Sequence, residues 1–236
     1  MLKDRASVAF ARLCCSLVVP TLMGTLLSPT VGIAEFYVGG QLGAHVANTL
    51  GDGATTDGPP GVNLTDLDLK QSFLFGAKAG YFVPQFPYLG IEVRASHAKP
   101  NLEPQASLVG GPVPGIAVFE RTNLRVMTVA VNLMVRAQLQ ELEPYAGMGL
   151  GIFFARLTDP TGASQSDNGV PGFSALAGYR YFLTKDRRMA LGVEYTYERA
   201  RLSFDNVLNP SLGIGTGISG DYEAHAVMGG LSYHFR

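Results

Sequence analysis

Cysteine occurs only at positions 14 and 15, so everything beyond the N-terminal segment folds without disulfides, thiol chemistry or a thiolate metal site. Tryptophan is absent. Charge is scarce: Asp, Glu, Lys and Arg make up 16% of the 236 residues, against about 25% in a usual soluble domain. The formal net charge is −1, without the basic excess that nucleic-acid binding calls for. Hydrophobic residues reach 47%, yet no apolar run attains the ~18 residues of a spanning helix, which excludes a helical membrane protein. What is abundant is glycine, with 29 residues, and glycine is costly inside helices. A length of 236 residues has room for one domain of this size and little else.

The N-terminus has the layout of an export signal. Lys3, Arg5 and Arg12 precede an apolar stretch from Leu13 to Leu27, broken by Pro20 and Gly24, and small residues lead to Ala34. The reading is a secretory signal over residues 1–34, cleaved after Ala34 within a few residues, with the domain over 35–236. A retained anchor is the alternative, disfavoured by the short and interrupted apolar stretch. Leu13 stands before Cys14 where a lipoprotein acceptor has a small residue. Without the signal's Lys3, Asp4, Arg5 and Arg12, the domain is mildly acidic.

From residue 35 onward the dominant period is two. Phe36, Val38, Leu42 and Val46 alternate with Tyr37, Gly39, Gln41 and His45. Phe73, Phe75, Ala77, Ala79 and Tyr81 alternate with Ser72, Gly76, Lys78 and Gly80. The same pattern recurs around Ile91, Val131, Leu150, Tyr179, Val193 and Leu231. These eight segments are about 9–14 residues long, where a tilted spanning strand needs about 9–11. Their connections alternate in length. Short ones lie at 84–87, 137–143 and 184–188; long ones, rich in Gly, Pro, Asn, Asp and Ser, lie at 47–68, 99–122, 157–170 and 200–221 and read as mobile surface loops. The predicted fold is all-β: an eight-stranded antiparallel up-and-down transmembrane β-barrel with short periplasmic turns and long extracellular loops.

A soluble eight-stranded barrel also alternates, with its apolar face inward. The composition of the second face separates the two cases. Here that face is rich in glycine (Gly39, Gly43, Gly76, Gly80, Gly90, Gly147, Gly149, Gly151, Gly178, Gly192) and poor in the Lys, Glu and Thr of a water-facing strand. A narrow eight-stranded interior needs small residues and a few large polar ones. Its charges come in both signs: Lys78, Glu92, Arg94, Arg136, Arg180, Glu194 and Glu198. Buried charges must be matched, so we expect ion pairs inside the barrel, with Lys78 near Glu92 and Arg94, and Arg180 near Glu194. The apolar face carries aromatic residues toward the strand ends: Phe36, Phe73, Tyr81, Phe154, Tyr181, Tyr197, Tyr233 and Phe235. They are candidates for interfacial girdles.

Segments 76–82 (GAKAGYF), 89–94 (LGIEVR), 144–151 (PYAGMGLG) and 229–235 (GGLSYHF) together make the chain resemble the small outer-membrane barrels typified by the OmpA membrane domain, OmpX and Opa-like adhesins. The resemblance runs along the whole of 35–236. It implies a closed barrel with a polar plug of ion pairs and variable outer loops, in contact with lipopolysaccharide and phospholipid. In that family a terminal aromatic residue is read by the barrel-assembly machinery; here Phe235 is followed by Arg236. The fold hosts adhesins, structural proteins and enzymes, so the resemblance implies no single activity.

Other motifs carry less. Residues 215–220 (GTGISG) match GxGxxG, but a loop precedes and a strand follows, not the strand and helix of a dinucleotide site. His45, His97, His225 and His234 lack metal-site spacing, and we expect neither metal nor cofactor. Ser96 and His97 are adjacent on a strand, so their side chains point to opposite faces, and no third partner of a triad is identifiable. Glu194 and Glu198 share a strand face and mimic a catalytic pair, although ion pairing accounts for them better. The triplet 63–65 (NLT) is a chance sequon in an outer loop. The expectation is a monomeric, non-enzymatic outer-membrane protein with a structural role or a loop-bound extracellular ligand. A narrow porin-like channel, a lipid A-modifying enzyme and a soluble periplasmic lipid binder are the alternatives.

Overall fold

The computed structural model describes residues 34–47, 51–55, 71–100, 105–109, 115–119, 123–158, 164–204 and 218–235. The export signal up to residue 33, the sequon at 63–65 and the glycines at 215 and 217 lie outside the described residues.

Among the described residues, eleven strands follow in chain order: β1 (Glu35–Ala47), β2 (Gly51–Thr55), β3 (Ser72–Val83), β4 (Phe86–Ala98), β5 (Gln105–Val109), β6 (Gly115–Phe119), β7 (Asn123–Arg136), β8 (Leu142–Thr158), β9 (Ser164–Phe182), β10 (Met189–Phe204) and β11 (Ile218–Phe235). Strands β1, β3, β4, β7, β8, β9, β10 and β11 pair in that order, each antiparallel to the next. The β1–β11 ladder, from Phe36↔Phe235 to Ala47↔Ala224, closes the barrel. Closure removes the unpaired edges that a lone sheet would expose. No helix is present among the described residues.

Every barrel strand buries alternate residues. On β7 the outward Met127, Val131, Leu133 and Val135 are exposed, while Val126, Thr128, Ala130, Asn132, Met134 and Arg136 are buried. Through the middle of the barrel the exposed set is apolar, with Phe73 at 86% exposure and Leu150 at 75%. The buried set includes the charges, with Arg94 at 1% and Glu92 at 0%. An apolar outside and a polar inside suit a barrel whose solvent is lipid.

The strands exceed the lengths expected from alternation. β8 has 17 residues, β9 19, β10 16 and β11 18. Much of the expected loops at 157–170 and 200–221 is therefore strand. The Leu157↔Gln165, Thr158↔Ser164 and Phe204↔Ile218 pairs carry the sheet beyond the apolar band. At the β8–β9 end polar residues replace the alternation, yet the ladder continues. The other two expected loops also hold strands. β2 adds to β11 through Ile218↔Thr55 and Ser219↔Ala54, and β5 and β6 form their own hairpin. At the opposite end the connections are tight. The first turn is Pro84–Gln85, and β8 already begins at Leu142, so Glu143 belongs to a strand and not to the turn.

Candidate functional site: the barrel interior

The interior is a column of matched groups. At the turn end, Glu35 on β1 meets Arg136 of β7 at 2.9 Å and the Nδ1 of His234 on β11 at 2.5 Å. Arg136 also reaches Glu143 at 3.2 Å and donates from Nε to the Pro87 carbonyl at 2.8 Å. Glu143 further accepts from Arg187 at 3.0 Å and from Arg180 at 3.4 Å. Outside the strands, the Thr184 hydroxyl and the Arg188 amide hold the Asp186 carboxyl below the usual carboxylate range.

Toward the middle, Arg180 of β9 lies between two tyrosines. Its guanidinium carbon is 4.2 Å from the ring centres of both Tyr37 and Tyr145, and it contacts Glu92 at 3.4 Å. Tyr37 donates to the same Glu92 at 2.5 Å. Lys78 of β3 reaches across to Glu194 of β10 at 2.5 Å and lies 3.9 Å from Glu92. Glu194 also accepts from the Tyr145 hydroxyl at 2.8 Å and pairs with Arg94 at 3.3 Å. Arg94 then bonds Glu198 at 2.9 Å and the Ser174 hydroxyl at 2.9 Å, and Thr128 donates to Glu198 at 3.1 Å. A void of about 10 Å³ remains beside Gln41, Lys78, Tyr145 and Glu194, room for about one water.

Toward the loop end the polar column gives way to apolar packing. His45 bonds the Tyr222 hydroxyl at 2.9 Å. Above it Leu124, Val126, Phe153, Ala200, Leu202, Phe204 and Tyr222 form one buried cluster, joined by Leu157 and Val170. The barrel thus has an ionic layer and, beyond it, a hydrophobic one.

All seven charges singled out in the sequence are in the ionic layer; Lys78 lies near Glu92, at 3.9 Å, and opposite Arg94 as expected, while Arg180 takes partners other than the expected one. Lys78 is opposite Arg94 in the β3–β4 register, and both converge on Glu194 from across the lumen. Arg180 is directed to Glu92 and Glu143, and among the described residues it forms no ion pair with Glu194. Sequence reasoning missed Glu35, Glu143, Arg187, His234 and the two tyrosines. Inward parity on β1 and β8 marks Tyr37 and Tyr145; nothing local marks Glu143, which looked like part of a turn.

Outward aromatics occupy both ends. Phe36, Tyr81, Tyr181, Tyr233 and Phe235 lie toward the turns, with Phe36 and Phe235 rings 5.6 Å apart. Phe73, Phe154, Phe173 and Tyr197 lie toward the loops, and Phe173 stands 6.5 Å from Tyr197. Ser96 is buried, while His97 lies on the outer face against Phe75 at 5.2 Å, so the two do not meet. The described part of the GxGxxG match lies on β11, within the sheet.

No curated protein matches the chain in sequence. Among solved structures it is similar to OprG from Pseudomonas aeruginosa, an outer membrane protein. That match has a TM-score of 0.56 and 16% identity, and covers 87% of this chain and 97% of that one. It is also similar to Neisserial surface protein A, with a TM-score of 0.54, 14% identity, and coverage of 86% and 99%. At these identities the likeness concerns the fold. The sequence profile of the outer membrane protein beta-barrel domain matches residues 18–235, nearly the whole chain. The alternating greasy exterior, the closed ladder and this match place the chain in the outer membrane protein beta-barrel domain family, as an integral protein of the outer membrane.

Proposed function

We propose that this protein is a sealed, non-enzymatic outer-membrane barrel whose work is structural or is done by its outer surface and loops. The observation that carries the reading is the double filling of the lumen. Matched charges from four strands, β3, β4, β9 and β10, interlock across the middle, and an apolar cluster caps them toward the loops. An ion crossing would have to break buried pairs and then enter a dry layer, both strongly unfavourable. The outward aromatics at the two ends act as girdles at the lipid headgroups. The barrel-assembly machinery inserts the chain, and the loop end presents the surface that meets extracellular ligands.

Planar-bilayer recording of the refolded protein tests the reading. The expected trace stays at background. Steady channels of large conductance would replace the sealed barrel with a porin-like one.

A further inference from the structure

The outer face carries a feature that the interior does not explain. Arg125 on β7 and Arg156 on β8 are direct cross-strand partners, and both are exposed on the outside of the barrel. Like charges directly opposite on a sheet repel, because their Cβ atoms are only about 4.5–5.5 Å apart. Continuing the β4–β7 register one step past Ala98↔Val126 sets a third cation, exposed Lys99, beside Arg125. None of the three has an ion-pair partner among the described residues. Arg199, on the same outer face of β10, differs: it is matched by Asp221 at 2.8 Å and Glu223 at 3.3 Å. Arg156 is instead opposite the exposed Ser166, a neutral hydrogen-bonding neighbour.

Position along the strands says what could match these cations. Arg125 follows Met127 outward, Arg156 follows Phe154, and Lys99 follows His97, each two residues on along the same face. Two residues of strand advance about 7 Å. The cations therefore lie one step beyond the last ring-bearing row, on the loop side, where the acyl region ends and the charged part of the outer leaflet begins. Adjacent guanidinium forks suit a phosphate, whose oxygens each can bond bidentately. We propose that Arg125 and Arg156, assisted by Lys99, form a cradle for a phosphate group of an outer-leaflet lipid. The bound anion converts the cross-strand repulsion into a bridge. The inference rests on the outward face lying in lipid, and it does not depend on whether the lumen conducts.

The test uses the full domain refolded in detergent and titrated with bisphosphorylated lipid A, the same lipid with its phosphates removed, and inorganic phosphate, read by native mass spectrometry. Heat-modifiable gel migration first establishes that each variant is folded. Wild-type protein is expected to retain bisphosphorylated lipid A. The Arg125→Gln/Arg156→Gln variant should bind it about tenfold or more weakly, as should wild-type protein offered the dephosphorylated lipid. Arg199→Gln should bind as wild type does. Should the double variant not fold, Arg156→Gln alone carries the comparison. Equal binding by the variant, or equal binding of the dephosphorylated lipid, overturns the cradle. Inorganic phosphate binding as tightly as lipid A would overturn the lipid source and assign a free anion.

Discussion

Gly80 of β3 lies opposite Tyr37 of β1, and the tyrosine ring covers it so closely that a Cβ at position 80 would overlap the ring. The ring has nowhere to retreat. It stacks on Phe82 at 5.8 Å and on His234 at 5.1 Å, supports the Arg180 guanidinium and donates to Glu92. Gly80→Ala is therefore expected to destabilise the barrel by about 1–3 kcal/mol, the usual cost of overpacking. Urea unfolding in lipid vesicles, followed by heat-modifiable migration, measures it. Gly40→Ala is the control, since a Cβ there meets nothing within 4 Å.

Glu194 joins three donors from three strands: Lys78, Arg94 and Tyr145. Glu194→Gln leaves Lys78 short of its nearest counter-charge, because Glu92 is 3.9 Å away and already bonded by Tyr37 and Arg180. Breaking one side of such a buried pair costs about 3–5 kcal/mol. Removing both charges in Lys78→Met/Glu194→Gln should recover part of the loss. The expected coupling is about 0.5–3 kcal/mol in a double-mutant cycle. Additive effects would show that the two side chains do not share their charge in the folded barrel.

Val131 lies mid-strand on the outer face, between Val93 of β4 and Leu150 of β8. All three are exposed and apolar. Val131→Arg is expected to cost about 2–4 kcal/mol in vesicles, because the arginine would lie near the bilayer midplane. The same urea series reads it, and no loss of stability would mean that this face does not meet lipid.

The outer face was legible in the sequence because parity is a local property. Once Val93, Val131 and Leu150 alternate with Glu92, Asn132 and Gly149, the period of two decides which face each residue takes. Within a hairpin the nearness of Lys78 to Glu92 and Arg94 was legible, but pairing across the lumen was not, because it depends on how far the strands are staggered around a closed barrel. Arg180 is nearest in the hairpin to β10, yet its side chain crosses the lumen to Glu92, 88 positions away in sequence. The extra length of β8 to β11 was hidden for another reason. Beyond the membrane, residues such as Gln165, Ser166 and Asp167 have no lipid face to maintain, so the alternation stops although the ladder continues. Glu143 was hidden by Pro144 and by its nearness to a tight turn.

Phe153 tests whether the two interior layers seal independently. Its ring is fully buried, 6.2 Å from Tyr222, and fills the space that Gly151 and Gly172 leave open. Phe153→Ala should destabilise the barrel by about 3–5 kcal/mol through the cavity it leaves. It should not open a channel, because the Lys78, Arg94, Glu194 and Glu198 layer lies intact nearer the turns. Glu194→Gln alone should also stay closed, since the apolar layer remains dry. Combining Phe153→Ala with Glu194→Gln removes a part of each layer, and planar-bilayer recordings of that variant should show brief openings that neither single change produces. Steady current through Phe153→Ala alone would mean that the ion pairs fill the lumen without sealing it.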